Sequence, residues 1–222
     1  MIVAIDGTTG SGKSTISKNL AQKLNFAYIR TGSFYRAIAL KILTENIDYS
    51  NIETINNMLT TTNIQNTFEN GHVKLLLDGN DVSKQINSVE VSNFVSKIAQ
   101  IPEIRAYVKN LQRASAKSCK NIVMEGRDIG SVIFPEAEVK IFIDCDIDVR
   151  ALRRVYQYRK NDQIISFEDA KNAILQRDYD DINRKVSPLI RLPEAFYLDT
   201  ANYTIDECVE ILYKHTMSKN KK

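Results

Sequence analysis

No stretch of the sequence approaches the ~20 apolar residues that a membrane-spanning helix requires, so no membrane partner is expected. The opening "MIVAID" has no basic segment ahead of its apolar run, and that run is too short for a signal peptide. Cysteine is scarce. Cys119, Cys145 and Cys208 are odd in number and widely spaced, which argues against a disulfide framework or a metal-ligand pair. Reduced thiols in a cytoplasmic protein are expected. His72 and His215 stand alone, one in an insert turn and one in a terminal helix, so neither has catalytic company. The net charge of +3 is too small to argue for nucleic acid as a partner. Three lysines fall in the closing "SKNKK" (218–222), read as a solvated, frayed tail. Glycine is also rare. Six of the eight glycines lie in three short motifs: Gly7, Gly10 and Gly12; Gly32; Gly126 and Gly130. A chain this sparing with glycine places it where the backbone needs it.

What is present suits one substantial domain with a small insert. Of the 222 residues, 43% are hydrophobic and 26% charged, enough to bury a core. "IVAI" (2–5) reads as a buried strand, and Ile16, Leu20, Ala21 and Leu24 space a helix over 13–24. A short element at 27–30 leads into a helix over 33–46. The stretch 48–87 is less regular. Its Asn70-Gly71 and Asp78-Gly79 turn signals predict a small antiparallel insert. Helices follow over 91–99 and 103–117, strands over 121–124 and 139–144, helices over 147–160 and 167–185, a strand over 195–200 and a helix over 204–216. Strands alternating with helices predict an α/β fold: a mostly parallel sheet covered on both faces.

"GTTGSGKS" (7–14) satisfies G-x-x-x-x-G-K-[ST], with a strand before it and an amphipathic helix after it. Backbone N–H groups of Gly7, Thr8, Thr9, Gly10, Ser11, Gly12, Lys13, Ser14 and Thr15 are candidates to cradle nucleotide phosphates at a helix N-terminus. Lys13 is expected to reach the β- and γ-phosphates and the Ser14 hydroxyl to hold Mg2+; Asp6 is expected to orient the ion or its waters. Guanine-binding switch proteins need N-K-x-D or T-K-x-D, which does not occur here. "IVME" (122–125) partly matches the apolar run closed by an acid that motor ATPases carry.

"RDYDDINR" (177–184) poses a separate question. Arg177, Asp181 and Arg184 share one helix face, and Ala170, Ala173 and Ile174 lie on the same stripe upstream. An apolar, core-facing stripe thus runs into charge.

Several stretches carry a family resemblance. "RTGSFYRA" (30–37), "MEGRDIGSVIFPEAEVKIFI" (124–143) and "RDYDDINRKVSPL" (177–189), with the P-loop, resemble the bacterial cytidylate kinases. So do "GHVKLLLDGNDVSKQI" (71–86) and "VSNFVSKIAQIPEIRAYVKNLQR" (91–113). The resemblance covers about residues 1–212. It implies a P-loop nucleoside-monophosphate kinase fold with a five-stranded sheet. The core would comprise 1–32, 88–146 and 186–217, the nucleotide-acceptor region 33–87, and the lid about 150–165. The chain departs from the family pattern at Thr8 (usually Pro), Ser14 (Gly in many members), Arg30 (usually Asp), Glu125 (usually Asp) and Asn87 (often Arg).

The resemblance implies that Arg36, Arg127 and Arg184 grip the CMP phosphate, as guanidinium forks suit a phosphate dianion. It implies that Ser96, Arg105 and Asp128 read cytosine, with Asp128 accepting from the exocyclic amine, and that Arg177 and Asp181 hold the sugar hydroxyls. Thr31 would add a hydroxyl near base or phosphate. "RALRRVYQYRK" (150–160) resembles the family's lid, whose Arg153 and Arg154 would meet charge developing on the transferred group. The implied reaction passes the γ-phosphoryl group of ATP to CMP or dCMP, with Mg2+, without a general base, in a cytoplasmic monomer. A related kinase acting on UMP or AMP, or a P-loop binding or switch protein, is the alternative.

Overall fold

The computed structural model of the chain describes residues 1–69, 72–160 and 162–219, and the side chains of all of these except 68, 69, 72 and 73. In chain order the elements are β1 (Ile2–Gly7), α1 (Lys13–Leu24), β2 (Ala27–Arg30), α2 (Gly32–Thr44), α3 (Ile52–Thr61), β3 (Ile64–Glu69), β4 (His72–Leu77), β5 (Asn80–Asp81), α4 (Val89–Ile98), α5 (Pro102–Lys117), β6 (Ile122–Glu125), β7 (Val139–Asp144), α6 (Ile147–Arg159), α7 (Phe167–Asn183), β8 (Phe196–Asp199) and α8 (Ile205–Lys219). A single turn of π-helix, Ile129–Ile133, follows β6.

Five strands form one sheet in the order β2-β6-β1-β7-β8, and every pairing is parallel. This is the expected sheet flanked by helices. β1 is β-branched and buried along nearly its whole length, as a central parallel strand should be. Val3, Ile5, Val123, Ile141 and Ile143 pack with Ile16, Leu20 and Ala21 of α1 and with Cys208, Val209 and Leu212 of α8. Truncating a fully buried member such as Leu20 to Ala removes about 2–5 kcal/mol. Gly7 sits where β1 meets β7 at closest approach: a Cβ there would lie 1.9 Å from the Ile143 carbonyl oxygen, so no other residue fits.

The chain divides into two units, Met1–Arg30 with Cys119–Lys222, and Thr31–Ser118. α4 and α5 therefore group with the insert, whereas the sequence reading placed 88–118 with the core. In the second unit, β3, β4 and β5 form the expected antiparallel sheet. Asp78 and Gly79 both have positive φ (49° and 85°), as a tight hairpin turn demands. The Asn70-Gly71 turn lies outside the described residues. α3 is an addition that the sequence reading lacked; Asn51 caps it by accepting the Glu53 and Thr54 N–H groups at 2.9 and 3.2 Å. Ser218 and Lys219 belong to α8 rather than to a tail, and 220–222 lie outside the described residues. No helix among the described residues is long and apolar enough to cross a membrane.

Candidate active site

The loop 7–12 leaves β1 at the carboxyl edge of the parallel sheet, where ligands bind in open α/β folds. Side chains from neighbouring strands and loops hold it. Thr8 Oγ1 donates to Asp144 Oδ1 at the end of β7 (2.6 Å), and Asp144 Oδ1 also accepts the Cys145 N–H. Ser11 Oγ donates to the Thr8 carbonyl (3.0 Å), and Thr200 Oγ1 donates to the Ser11 carbonyl (2.9 Å). Gly12, at φ 84°, turns the chain into α1.

Lys13 opens α1 and is 5% exposed. Its Nζ donates to the Thr8 carbonyl (3.4 Å) and lies 3.8 Å from Glu125 Oε2. Burial, reinforced by the Arg127 charge, lowers its pKa to about 8. Glu125 ends β6 and is also buried. It accepts from Ser14 Oγ (2.8 Å) and faces Arg30 Nε at 3.7 Å. Arg30 and Glu125 are direct partners in the β2–β6 register, so two departures from the family pattern are one ion pair.

Asp6 has a different job from the one expected. Its two carboxylate oxygens accept the Ile129 and Gly130 N–H groups at 2.8 Å each, fixing the π turn after β6. Burial pushes its pKa up to about 7 against these two hydrogen bonds. Asp6 is thus a positioning residue for the segment carrying Arg127 and Asp128. Asp128 is buried at the start of that turn.

The stretch "RDYDDINR" gathers its charges around Asp181. This carboxylate, 3% exposed, accepts from Arg127 Nε (2.8 Å) and Arg177 Nε (3.2 Å) on Oδ2 and from Arg184 Nη1 (3.2 Å) on Oδ1. Burial works against its charge, but the three guanidiniums outweigh it and hold the pKa near 2. Arg184 also donates through Nε to the Ser187 carbonyl. Arg127 reaches back to the P-loop, donating from Nη2 to Thr9 Oγ1 at 3.1 Å. The inward stripe is Ala170, Ile174, Asp178 and Asp181. Ala173, expected on it, is exposed.

Of the two expected lid arginines, Arg153 lies beside the P-loop, its Nη1 3.8 Å from where a Cβ on Gly12 would stand. Arg153 donates to Thr200 Oγ1 (3.0 Å), the Thr200 carbonyl (2.8 Å) and Cys145 Sγ (3.4 Å), whereas Arg154 lies over the Tyr158 ring of its own helix. Thr15 is exposed on α1.

Thr31, Arg36, Ser96 and Arg105 belong to the second unit. Arg36, on α2, donates from Nη1 to the Ile86 carbonyl (2.9 Å) and Ser92 Oγ (2.8 Å). Arg105, on α5, is 5% exposed, donates to the Ala99 carbonyl (3.1 Å) and lies 5.6 Å from the Tyr35 ring centre. Ser96 lies half-buried on α4 and Thr31 is buried ahead of α2.

Sequence reasoning missed Asp178, the P-loop contact of Arg150, and Asp144. Asp178 had one visible signal: it stands four residues after Ile174, on the buried stripe. Arg150 and Asp144 had none, since their partners lie 141 and 136 positions away.

The description "Cytidylate kinase" belongs to the family whose sequence profile matches residues 3–218. A cytidylate kinase of Fusobacterium nucleatum is 40% identical over 214 residues, covering 96% of both chains. A bifunctional pantoate ligase/cytidylate kinase of Prochlorococcus marinus is 43% identical over 213 residues; the match covers 94% of this chain and 41% of that larger protein. Among solved structures, shikimate kinase from Bacteroides thetaiotaomicron is similar in fold alone, with TM-score 0.50 at 12% identity over 98% of each chain. A buried P-loop lysine, three arginines on one carboxylate and matches that run nearly end to end agree: this chain belongs to the cytidylate kinase family.

Proposed function

We propose that the protein transfers the γ-phosphoryl group of ATP to CMP or dCMP, giving ADP and CDP or dCDP, in the cytoplasm and as a monomer. The observation that carries this reading is the Asp181 cluster. Three guanidiniums converge on one buried carboxylate, and one of them, Arg127, also bonds the P-loop at Thr9. A cluster richer in cations than anions suits a phosphate dianion, and its bond to the loop suits an acceptor that must meet a donor phosphate.

Arg36, Arg127 and Arg184 bind the acceptor phosphate; Arg177 and Asp181 hold the sugar; Ser96, Arg105 and Asp128 read the base, with Thr31 beside them. Arg153 and Arg154 join the transferred group when the lid region 150–165 closes. The acceptor oxygen is already ionised at neutral pH, since a phosphate monoester has a second pKa of about 6. No general base is needed. Lys13 supplies a fixed positive charge to the phosphates and the arginines position the two reactants. Ser14 Oγ, with the Glu125 carboxylate 2.8 Å behind it, offers the hard oxygen donors that suit Mg2+. Bound there with the nucleotide, Mg2+ offsets phosphate charge.

Rates of ADP formation with and without CMP test this reading. Strong stimulation by CMP supports it; slow hydrolysis indifferent to CMP would favour a P-loop binding protein. The Lys13 pKa makes a second prediction. Its ammonium loses charge as pH rises through about 8, so kcat/KM for ATP falls above that pH. Bound phosphates favour the charged form, so kcat stays level to higher pH. A pH profile of kcat/KM that is flat to pH 10 would remove Lys13 from ATP binding.

A further inference from the structure

Each polar group of Thr9, in the middle of the P-loop, is held by a different side chain. Its N–H donates to Asp178 Oδ1 (2.9 Å), its carbonyl accepts from Arg150 Nη1 (3.0 Å), and its Oγ1 accepts from Arg127 Nη2 (3.1 Å). Asp178 and Arg150 also pair with each other, and both are 7% exposed. The adjoining residue packs against the same two helices. A Cβ on Gly10 would lie 3.5 Å from Arg150 Cβ and 3.7 Å from Ile174 Cδ1, and Gly10 has φ +78°. α6 and α7 thus lie directly against the loop.

Asp178 and Asp181 are three residues apart on the inward face of α7. One carboxylate holds the Thr9 peptide, the other holds Arg127, and Arg127 returns to Thr9. This closes a ring from loop to helix to arginine and back to the loop. Neither Asp178 nor Arg150 has a part in the phosphate chemistry described above, yet together they fix the orientation of a peptide plane inside the cradle.

We infer that Asp178 and Arg150 are positioning residues that hold the P-loop in its phosphate-binding conformation and couple it, through α7, to the acceptor-binding arginines. This deepens the proposed kinase reading and rests on it for the coupling to the acceptor. The grip on the loop itself is read without any acceptor.

The test measures ADP binding by equilibrium dialysis and CMP-dependent kcat in the wild type, Asp178→Ala and Asp178→Asn. Losing one buried hydrogen bond to the loop should weaken ADP binding about tenfold in Asp178→Ala. A loop displaced by a fraction of an ångström should lower kcat by about 10- to 100-fold. Asp178→Asn keeps an oxygen for the Thr9 N–H and should recover most of the ADP affinity. Circular dichroism gives the folded fraction, and affinities are compared per folded molecule. ADP affinity within twofold of wild type in Asp178→Ala, or equal losses in the two variants, would overturn the inference. If Asp178→Ala does not fold, Arg150→Lys replaces it, with the same losses expected and the same overturning result. A wild type that binds ADP but is not stimulated by CMP would defeat the kinase reading alone, leaving the loop grip to be decided by the ADP affinities.

Discussion

Lys13→Met should lower kcat by about 100-fold or more while the fold survives. Lys13 is the P-loop ammonium, buried against the loop carbonyl of Thr8 and the Glu125 carboxylate. It is held in place without any nucleotide, so in the proposed reaction its charge would meet the transferred group without reorganisation. In a dry site such a fixed charge is worth far more than in water. Methionine keeps the length and apolar stem and removes only the charge. Glu125 then loses one partner but keeps Ser14 Oγ at 2.8 Å and Arg30 at 3.7 Å, so the carboxylate is not orphaned and unfolding is not expected. Steady-state kinetics with a thermal melt separate the two effects. A kcat within threefold of wild type would contradict the role given to Lys13.

Asp181→Ala should act on stability and substrate together. Three guanidiniums, those of Arg127, Arg177 and Arg184, would lose their shared carboxylate. Removing one partner from a buried ionic cluster costs about 3–5 kcal/mol. The KM for CMP should rise at least about tenfold, because the arginines lose the group that orients them. The pH dependence has a definite sign. The folded pKa, about 2, is depressed below the ordinary 3.8, so ionised Asp181 contributes about 2–3 kcal/mol at neutral pH. That contribution is complete above about pH 4 and is lost as pH falls towards 2. The stability gap between wild type and variant should therefore narrow in acid. Truncation costs more than protonation, since a protonated carboxyl still accepts hydrogen bonds and alanine does not. Urea unfolding at pH 7 and pH 3 checks this; a gap that stays constant or widens in acid would refute the charged role of Asp181.

Most of the fold was legible because its signals are local. The P-loop spacing located β1, the cradle and α1 together, and β-branched runs marked the buried strands. α3 escaped because "TINNMLTT" is rich in Asn and Thr, weak helix formers, and its evidence is a cap at Asn51. The π turn after β6 escaped because what fixes it is the Asp6 carboxylate, 123 positions away from Ile129.

At the site, the sequence located charge better than it located partners. The inward turn of "RDYDDINR" was visible from periodicity, and Asp181 does sit at its centre. An i,i+4 pattern cannot say that Arg127, 54 positions upstream, completes that cluster. Asp178 was hidden within the same stretch, since the face drawn through Arg177 passes it by and takes in Ala173. Arg30 and Glu125 looked like two separate departures, and only the β2–β6 register makes them neighbours.

The most direct test of the account compares initial rates with CMP, dCMP, UMP and AMP as acceptors at equal concentration and saturating ATP. CMP and dCMP should be phosphorylated fastest. UMP should lag, because in the proposed reading its O4 would present an acceptor to Asp128 in place of the cytosine amine. Faster turnover of UMP or AMP than of CMP, or no acceleration of ADP formation by any of the four, would contradict it.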